Sequence, residues 1–356
     1  MQNSRLYTIM MRSVMVFFWV CVLVMFLGFS HIVHFFRSER SINIFSWPTL
    51  LDVSYLERFE RETGITLHVS YYETNEELFS KLRATKGSGY DLVIPSDYVV
   101  ELMIKEGLLQ KIDQTKIHAW PELDPKLLSL YCDPHNDYTI PYFWAVYGLG
   151  IDTAYFKDAL PEVSWDLIFD SKKIPSSIGM LDAAREAVLL AAFYLYGSSD
   201  IAMTPEHIAK IKKLLIEQKR FVGAYTESNI EHLLLGKLCP LVVAMGPDIL
   251  RIQRVNPAIK FVIPKEGSFV VIDSFAIPAK STKVDLVYEF INFLLKSDVL
   301  EHHRAKFGMC CPTKKMQSIH DQTICPSDEE FAKMKFFKTT LPEALLNEIW
   351  IQLMAY

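Results

Sequence analysis

PKEGSFVVIDSFAIP, residues 264–278, is the most informative stretch of this 356-residue chain. A glycine at position 267 ends a turn, and the apolar run at 268–272 is typical of a buried strand. Asp273 follows directly. A carboxylate in such surroundings needs a partner, because an unpaired one would cost several kcal/mol or stay protonated. That partner is either a bound cation or a protein group such as a lysine, an arginine or a backbone amide.

The first forty residues contain a candidate membrane segment. No charged residue lies between Ser13 and Phe36, and a helix over about residues 14–36 is long enough to cross a bilayer. Arg5 and Arg12 precede it, so the positive-inside rule predicts a cytoplasmic amino terminus. A cleaved signal peptide is the alternative, although no small-residue cleavage site follows. We expect residues 1–40 to form a cytoplasmic tip with a membrane anchor or signal helix, and the remainder to be extracytoplasmic.

Charge and cysteine content limit the function classes. The chain carries a formal charge of −5, and its first forty residues carry four arginines and one glutamate, which leaves −8 for residues 41–356. No basic stripe is present to bind nucleic acid. Outside the candidate membrane segment there are five cysteines, whose spacing matches no zinc or disulfide framework. We interpret the adjacent Cys310 and Cys311 as small buried residues.

The order of predicted elements indicates an α/β protein. A strand at 42–45, a helix that ends at Gly64 and a strand at 66–69 form a βαβ unit. Thr74 and Glu77 form a capping box before a helix that reaches about Thr85, and a short strand at 91–94 ends at Pro95. Helices at 184–196 and 205–217 and a strand at 241–245 indicate a second α/β block, and 284–295 has helical periodicity.

Ten short motifs in this chain resemble, in the same order, those of the spermidine/putrescine-binding proteins of ABC importers. They are FSW (45–47), FERETGI (59–65), YETNE (72–76), YDLVIPS (90–96), QKID (110–113), NDYTIPY (136–142), DAARE (182–186), PKEG (264–267), DSFAIP (273–278) and INFLL (291–295). The resemblance implies a type II periplasmic-binding-protein fold, in which two α/β lobes joined by crossing strands close on a ligand. The expected lobes are residues 41–150 with 274–320 and residues 151–273 with 321–356.

The resemblance also implies a polyamine site, since ammonium groups need carboxylates and hydroxyls while methylenes need flat apolar walls. By position in the motifs, Asp273 and Glu186 would hold amines, Ser96 would accept hydrogen bonds from them, and Trp47 and Tyr98 would line the methylenes. We interpret Arg185 as one partner of a structural ion pair. Further candidates for the ligand site are Trp144, Asp182, Asp248 and Met309; Trp144 is equally consistent with packing near the hinge.

The chain departs from the family pattern at several wall positions. Val271 and Met309 stand where tryptophan and tyrosine are usual, and Met245 lies in a run that usually holds another tryptophan. Ala183 replaces an aspartate and Pro48 a threonine. At about 0.5–2 kcal/mol per aromatic face, losing three would weaken binding roughly 10- to 10⁴-fold unless other groups compensate. A shorter diamine or another cationic solute would lose less, and Asp248 and Glu227 are acids that could compensate.

The predicted function is an extracytoplasmic receptor that delivers putrescine, spermidine or a similar cation to a permease with cytoplasmic ATPases. No cofactor, metal or catalytic residue is expected, because no spacing supports a nucleophile with a base or a set of metal ligands. Ferric-ion binding through Tyr71 and Tyr72 is one alternative within the same fold. Another is a membrane-tethered sensor or structural domain that no longer binds polyamines.

Overall fold

The computed structural model describes residues 40–157, 160–317, 324–338 and 341–356, together with positions 11, 15 and 17–19, which are helical. Within this described part of the chain, no helix is both long and apolar enough to cross a membrane. The helix predicted at 14–36 lies almost entirely outside the described residues, so the anchor or signal segment stays a prediction.

The elements follow the alternating order that the sequence predicts. The first group is β1 (Ser41–Ser46), α1 (Val53–Thr63), β2 (Thr66–Tyr71), α2 (Asn75–Thr85), β3 (Leu92–Val93) and α3 (Asp97–Lys105). The second is β4 (Thr139–Asp152), α4 (Asp166–Phe169), β5 (Ile178–Met180), α5 (Ala184–Tyr196), α6 (Pro205–Lys219), β6 (Val222–Tyr225), α7 (Ile230–Leu235), β7 (Leu241–Met245), α8 (Gly246–Val255) and β8 (Ile259–Val262). The last is β9 (Phe269–Ala276), α9 (Val284–Leu294), α10 (Ser297–Phe307), α11 (Lys314–Gln317), α12 (Asp328–Phe331), β10 (Lys335–Phe336) and α13 (Glu343–Ala355).

Local signals set several of these boundaries. Gly64 ends α1 in the left-handed conformation (φ +69°), which glycine adopts without steric cost. The Thr74 hydroxyl caps α2 by accepting from the Glu77 amide at 3.1 Å. The Glu77 carboxylate accepts from the amide of Glu73 at 3.0 Å, one residue before the position that a capping box requires. The predicted cap is therefore present, and its reciprocal half is shifted by one residue.

Ten strands of the described chain form one mixed sheet in the order β2-β1-β3-β9-β4-β7-β5-β6, with β10 beside β9 and β8 beside β4. β1, β2 and β3 are parallel, as are β5, β6 and β7. β4 pairs antiparallel with β9 over residues 139–146 and with β7 and β8 over residues 147–152. The long strand β4 therefore passes from one parallel group to the other beside β9. This is the predicted fold of two α/β lobes with crossing strands.

Apolar packing follows the same division. One cluster joins Ile42 and Ile44 of β1 to Phe290 and other residues of α9. A second joins Val188 and its neighbours on α5 to Leu241 of β7 and to α13. On β4, the strand that runs between these clusters, Gly150 packs closely against α8. A Cβ at Gly150 would lie 2.4 Å from the side chain of Ile249. Each lobe thus has its own core, and the two cores meet along β4 and β9.

The cysteine interpretation needs one correction. Cys310 is buried, as the sequence predicts, but it forms a disulfide with Cys325, fifteen residues later, which the cysteine spacing does not predict. Cys311 is buried and is not disulfide-bonded, which agrees with that interpretation for the second cysteine of the pair. Backbone hydrogen bonds also join Cys310 to Trp144 of β4, so the disulfide ties the segment around residue 325 to the crossing strand.

Replacing both cysteines, Cys310→Ala with Cys325→Ala, is expected to lower the free energy of unfolding by about 2–4 kcal/mol, since a loop of this length constrains the unfolded chain. Thermal unfolding with and without reductant measures the effect. The wild-type midpoint should fall when reductant is added, while the double variant should not respond. Equal responses of the two proteins would contradict the cross-link.

Candidate ligand-binding cleft

A cavity of about 320 Å³ is lined from both lobes. Several of its residues follow the carboxyl ends of parallel strands, where α/β sheets place their ligand sites. Trp47 follows β1, Ser96 lies just beyond β3, Asp182 follows β5, Glu227 follows β6 and Met245 ends β7. The carboxyl ends of the strands in both parallel groups therefore face the same cavity.

The crossing strands form the wall at the centre of this cavity. Ala145 and Tyr147 of β4 line it, as do Val271 and Asp273 of β9, because alternate residues of a strand face the same side. Ala145 and Val271 are direct neighbours across the β4–β9 ladder. The strands that connect the lobes thus also present the central carboxylate to the cleft.

Asp273 is buried and has a hydroxyl as its partner. The Ser96 Oγ donates to Asp273 Oδ1 at 2.7 Å, and the backbones of the two residues form a bridge. No lysine, arginine or histidine of the described chain pairs with this carboxyl. Burial, with a smaller contribution from the nearby Asp97, raises the pKa of Asp273 to about 7 even though the hydrogen bond from the Ser96 hydroxyl opposes the shift. Of the alternatives that the sequence leaves open, the one in which a lysine, an arginine or a backbone amide of the protein pairs with Asp273 is absent from the described chain.

Trp47 lies beside Asp273. Its ring packs against Tyr72 with centroids 4.6 Å apart, and it borders the cavity. The indole N–H has no partner within hydrogen-bond geometry in the described chain, yet it faces Asp273 closely enough to lower the pKa of that carboxyl. Trp47 therefore borders the cleft with its ring, while its buried N–H lies on the side of Asp273.

The cleft is strongly acidic. Seven carboxyl residues line it against one arginine, Arg185; the acids are Glu73, Glu76, Asp182, Glu186, Glu227, Asp273 and Glu343. Burial raises the pKa of Glu186, although Arg185 opposes the shift. Burial, with repulsion from Glu186 and Asp182, raises the pKa of Glu227 to about 7. Like charges crowded in a poorly solvated space hold protons until a cation neutralises them.

Arg185 spans the cleft. Its Nη1 donates to Glu76 Oε1 at 3.0 Å, and its guanidinium carbon lies 4.2 Å from the centroid of the Tyr98 ring. Arg185 begins α5 in one lobe, while Glu76 and Tyr98 belong to α2 and α3 of the other. The structural ion pair expected for this arginine is present, and it joins the two lobes.

The structure brings most sequence-predicted residues to this one cavity: Trp47, Ser96, Tyr98, Asp182, Glu186, Asp273 and Met309. Trp144 does not reach it. Trp144 is 1% exposed and its indole donates to the Cys311 carbonyl at 3.0 Å, on the face of β4 opposite to Ala145. Of the two interpretations that the sequence leaves open for Trp144, this position agrees with packing near the hinge, because a shift of one position along a strand reverses the face.

Asp248 also lies outside the cleft. It borders a neighbouring cavity of about 290 Å³ together with Arg251, Arg254 and Lys306, and it pairs with Arg251 at 3.4 Å. Met245 and Met309 line both cavities and lie between them. Of the two acids considered as compensation for the missing aromatic walls, only Glu227 lies in the acidic cleft.

The cleft is also lined by residues that sequence reasoning did not assign to the ligand site. Tyr147 carries the correct alternation along β4 and was identifiable from it, and Glu76 follows directly from the capped start of α2. Arg185 was assigned to structure alone. Glu343 and Asn347 reach the cleft from α13, in a tail where the motifs end, so no local signal pointed to them.

The tyrosine pair considered for ferric iron does not converge. Tyr72 is buried and its hydroxyl donates to the Ile94 carbonyl at 2.6 Å, whereas Tyr71 is 43% exposed. Adjacent strand residues point to opposite faces, which explains the divergence. Across the described residues, no group of three or more histidine, cysteine, aspartate or glutamate side chains is arranged to hold a metal ion.

Two lobes, crossing strands and an enclosed cleft with convergent polar groups define a solute-binding protein. Residues 54–332 match the family model described as bacterial extracellular solute-binding protein, and the chain belongs to that family. The family is one of binding receptors and is not a class of enzymes.

Named relatives within the family share most of this chain. The spermidine/putrescine-binding periplasmic protein of Escherichia coli (strain K12) is 31% identical over 297 residues, covering 82% of this chain and 84% of its own. The putrescine-binding periplasmic protein SpuD of Pseudomonas aeruginosa (strain UCBPP-PA14) is 31% identical over 322 residues, covering 84% and 87%. A solved structure of a putative spermidine/putrescine ABC transporter from Listeria monocytogenes superposes with a TM-score of 0.79 at 26% identity, covering 89% of this chain and 100% of that one.

Asp273→Asn is expected to stabilise the ligand-free protein at pH 8 by roughly 1–4 kcal/mol. The folded-state pKa of Asp273, about 7, lies above the ordinary aspartate value, so the folded protein binds the extra proton between about pH 4 and 7 and loses stability as pH rises through that window. Denaturant unfolding at pH 4.5 and 8 tests this, with little difference between the proteins expected at pH 4.5.

Asp298→Asn provides a control of opposite sign. Arg58 lowers the pKa of Asp298 through a hydrogen bond, so its carboxylate stabilises the fold above its pKa and the asparagine variant should be less stable at pH 8. An Asp273→Asn protein that loses stability at pH 8 would show that the carboxylate is satisfied when the cleft is empty.

Proposed function

We propose that this protein is the extracytoplasmic receptor of an ABC importer and that it captures a di- or polyamine by closure of its two lobes. The observation that carries the proposal is the charge of the cleft, where seven carboxyl residues face one arginine. Of these acids, only Glu76 pairs with a basic side chain in the described chain. Such a site is favourable for a solute that brings two or more positive charges and few hydrogen-bond acceptors.

The names of the relatives support the same ligand class. The Escherichia coli protein is named for spermidine and putrescine, and the Pseudomonas aeruginosa protein for putrescine. Both align with more than four-fifths of this chain. The proposal transfers that ligand class to this protein because the acidic residues in the cleft provide the charge that such ligands require.

Binding would proceed through complementary contacts on the two lobes. Asp273, already held by Ser96, would pair with one ammonium group from the side of the crossing strands. Glu186 and Glu227, which belong to the other lobe, would pair with another. Closure excludes water and thereby strengthens each of these pairs.

The methylene chain would lie against apolar groups. Trp47 offers an aromatic face, and Val271, Met245 and Met309 offer aliphatic or thioether surface where the family usually has aromatic rings. These groups bury methylenes well but provide no π-face for a cation. Glu227, deprotonated when the cationic ligand binds, would supply a charge in their neighbourhood and so compensate for the lost cation–π contacts.

The moving units in this proposal are residues 41–150 with 274–320 and residues 151–273 with 321–356. The closed, loaded form would dock on permease subunits driven by cytoplasmic ATPases. The Cys310–Cys325 disulfide favours an oxidising compartment such as the periplasm. Attachment to the inner membrane through residues 14–36 remains a prediction from the sequence.

Isothermal titration of the full-length protein with putrescine, cadaverine, spermidine and spermine tests the proposal. Asp273→Asn should weaken binding of the preferred amine about 30-fold or more, because a buried charge pair loses one partner. Glu206→Gln, which removes an exposed acid of α6 that pairs with Lys210, is the matched control and should bind as the wild type does. Absence of heat with every amine, in protein shown to be folded and ligand-free, would favour the sensor or structural alternative.

Affinity for the amine should fall as pH falls. Asp273 and Glu227, each with a pKa of about 7 in the empty cleft, must lose their protons to pair with ammonium groups. Each proton displaced costs up to about ten-fold in affinity per pH unit below that pKa. Titrations at pH 6 and 8 in buffers of different ionisation enthalpy measure the slope and the protons released. A flat pH profile would mean that neither acid pairs with the ligand.

A further inference from the structure

We propose that Asp97 is a positioning residue for amine binding, although its side chain does not line the cleft. It holds the strand that carries Asp273 and adds a second buried negative charge behind that residue. This inference rests on the proposed function. It assigns a role in that function to a residue that lies just after the YDLVIPS motif and belongs to none of the ten motifs shared with the family.

Both carboxylate oxygens of Asp97 accept hydrogen bonds from other segments of the chain. Oδ1 accepts from the backbone amide of Ile272 at 3.1 Å, and Oδ2 accepts from the Tyr131 hydroxyl at 2.8 Å. Asp97 also begins α3, where the helix dipole favours a negative charge. It is 2% exposed, and no basic side chain of the described chain pairs with it. The site therefore supports a carboxylate and leaves its charge without a counterion.

Asp97 and Asp273 are connected through the residues that precede them. Ser96, which precedes Asp97, donates its hydroxyl to Asp273 Oδ1 at 2.7 Å. Ile272, which precedes Asp273, donates its amide to Asp97 Oδ1. The backbones of Ser96 and Asp273 also form an isolated bridge. These contacts fix the start of α3 against β9 and hold the two carboxyl groups near each other.

The groups that face Asp97 from the segment before β4 are Tyr131 and Cys132. Burial raises the pKa of each above its usual value, so both stay neutral near pH 7. Glu101, on the next turn of α3, is paired with Lys105 at 2.6 Å. Burial also raises the pKa of Asp97 itself, to about 6, although its two hydrogen bonds oppose the shift. Asp97 is therefore ionised at pH 8.

The groups around Asp273 on this side are Ser96, Trp47 and Tyr72. None of them is charged near neutral pH, because burial raises the pKa of Tyr72 well above its usual value. Burial and, to a smaller extent, the charge of Asp97 raise the pKa of Asp273. Asp97 is thus the charged group that acts on Asp273 from behind the cleft wall.

A proton and an ammonium group at Asp273 respond to Asp97 in the same way. Each brings one positive charge to the same carboxylate, so the negative charge of Asp97 attracts both. Above the pKa of Asp273, about 7, no proton has to be displaced, and Asp97 strengthens amine binding. Below that pKa, the amine must first displace a proton that Asp97 helps to retain, and the gain is cancelled. Asp97 therefore favours amine capture above neutral pH.

The test is the affinity of full-length Asp97→Asn for putrescine and for spermidine, measured by isothermal titration at pH 8 and pH 6. Asparagine has the same shape as aspartate, and its amide group can accept from Ile272 and donate to Tyr131, so the variant loses the charge and keeps both contacts. Binding should be weaker than in the wild type by about three- to ten-fold at pH 8 and about equal at pH 6. Fewer protons should be released on binding at pH 7.

Asp91→Asn is the matched control. Asp91 lies before β3, at the end of that strand opposite to Ser96, and it is also buried. It likewise accepts from a backbone amide, that of Asn43 at 2.9 Å, and from a hydroxyl, that of Ser281 at 2.8 Å. Because Asp91 does not line the cleft or contact Asp273, the variant should bind both amines as the wild type does at both pH values.

Three results would overturn the role of Asp97: unchanged affinity of Asp97→Asn at pH 8, equal weakening at both pH values, or the same pH-selective loss in Asp91→Asn. Equal weakening would show that Asp97 acts through structure alone. Asp97→Ser also lacks the charge and keeps a hydroxyl at the start of α3. If the asparagine variant does not fold, the serine variant should lower the ratio of the affinities at pH 8 and pH 6 by about three- to ten-fold. Failure of the wild type to bind either amine at either pH would instead overturn the proposed function, and this inference with it.

Discussion

The antiparallel pairing of β4 with β9 is the contact on which the rest of the structure depends. These two strands separate the parallel groups of the sheet, and each lobe assembles its core against them. Their alternate residues form the wall of the cleft, including Asp273. A rotation of one lobe relative to the other must pass through the same ladder. The fold therefore combines the connection between its lobes and the central wall of its cleft in one pair of strands.

Crowded carboxyl groups give the empty cleft an electrostatic cost. Burial removes these acids from water and, with repulsion from nearby carboxylates, raises the pKa values of Asp273 and Glu227 to about 7. Hydroxyl groups such as that of Ser96 reduce this cost only in part. The acids that line the cleft favour a positive charge, and the only arginine or lysine among the described lining residues is Arg185. Stability and ligand recognition oppose each other here, as is common where a binding site is prepared in advance for an ion.

Sequence reasoning predicted the parts of this molecule that short-range chemistry determines. Gly64 and Thr74 set helix ends through backbone geometry and a single cap, and the family motifs placed Asp273 and Ser96 in one site. The position of Trp144 stayed open between the cleft wall and packing near the hinge, because strand register, not residue type, decides which face a side chain occupies. The Cys310–Cys325 pair and the approach of Asn347 depend on contacts between distant segments. No periodicity or spacing encodes such contacts, so they required the three-dimensional structure.

The position of α13 has a consequence for how the protein matures. Glu343, Leu346 and Asn347 complete one side of the cleft, and the helix is fixed there by contacts such as the bond from Lys219 Nζ to the Leu353 carbonyl at 2.7 Å. These residues leave the ribosome after both crossing strands. The earlier segments can therefore assemble both cores before this side of the site exists. Docking of α13 against α5 and α6 is the step that completes the wall of the cleft.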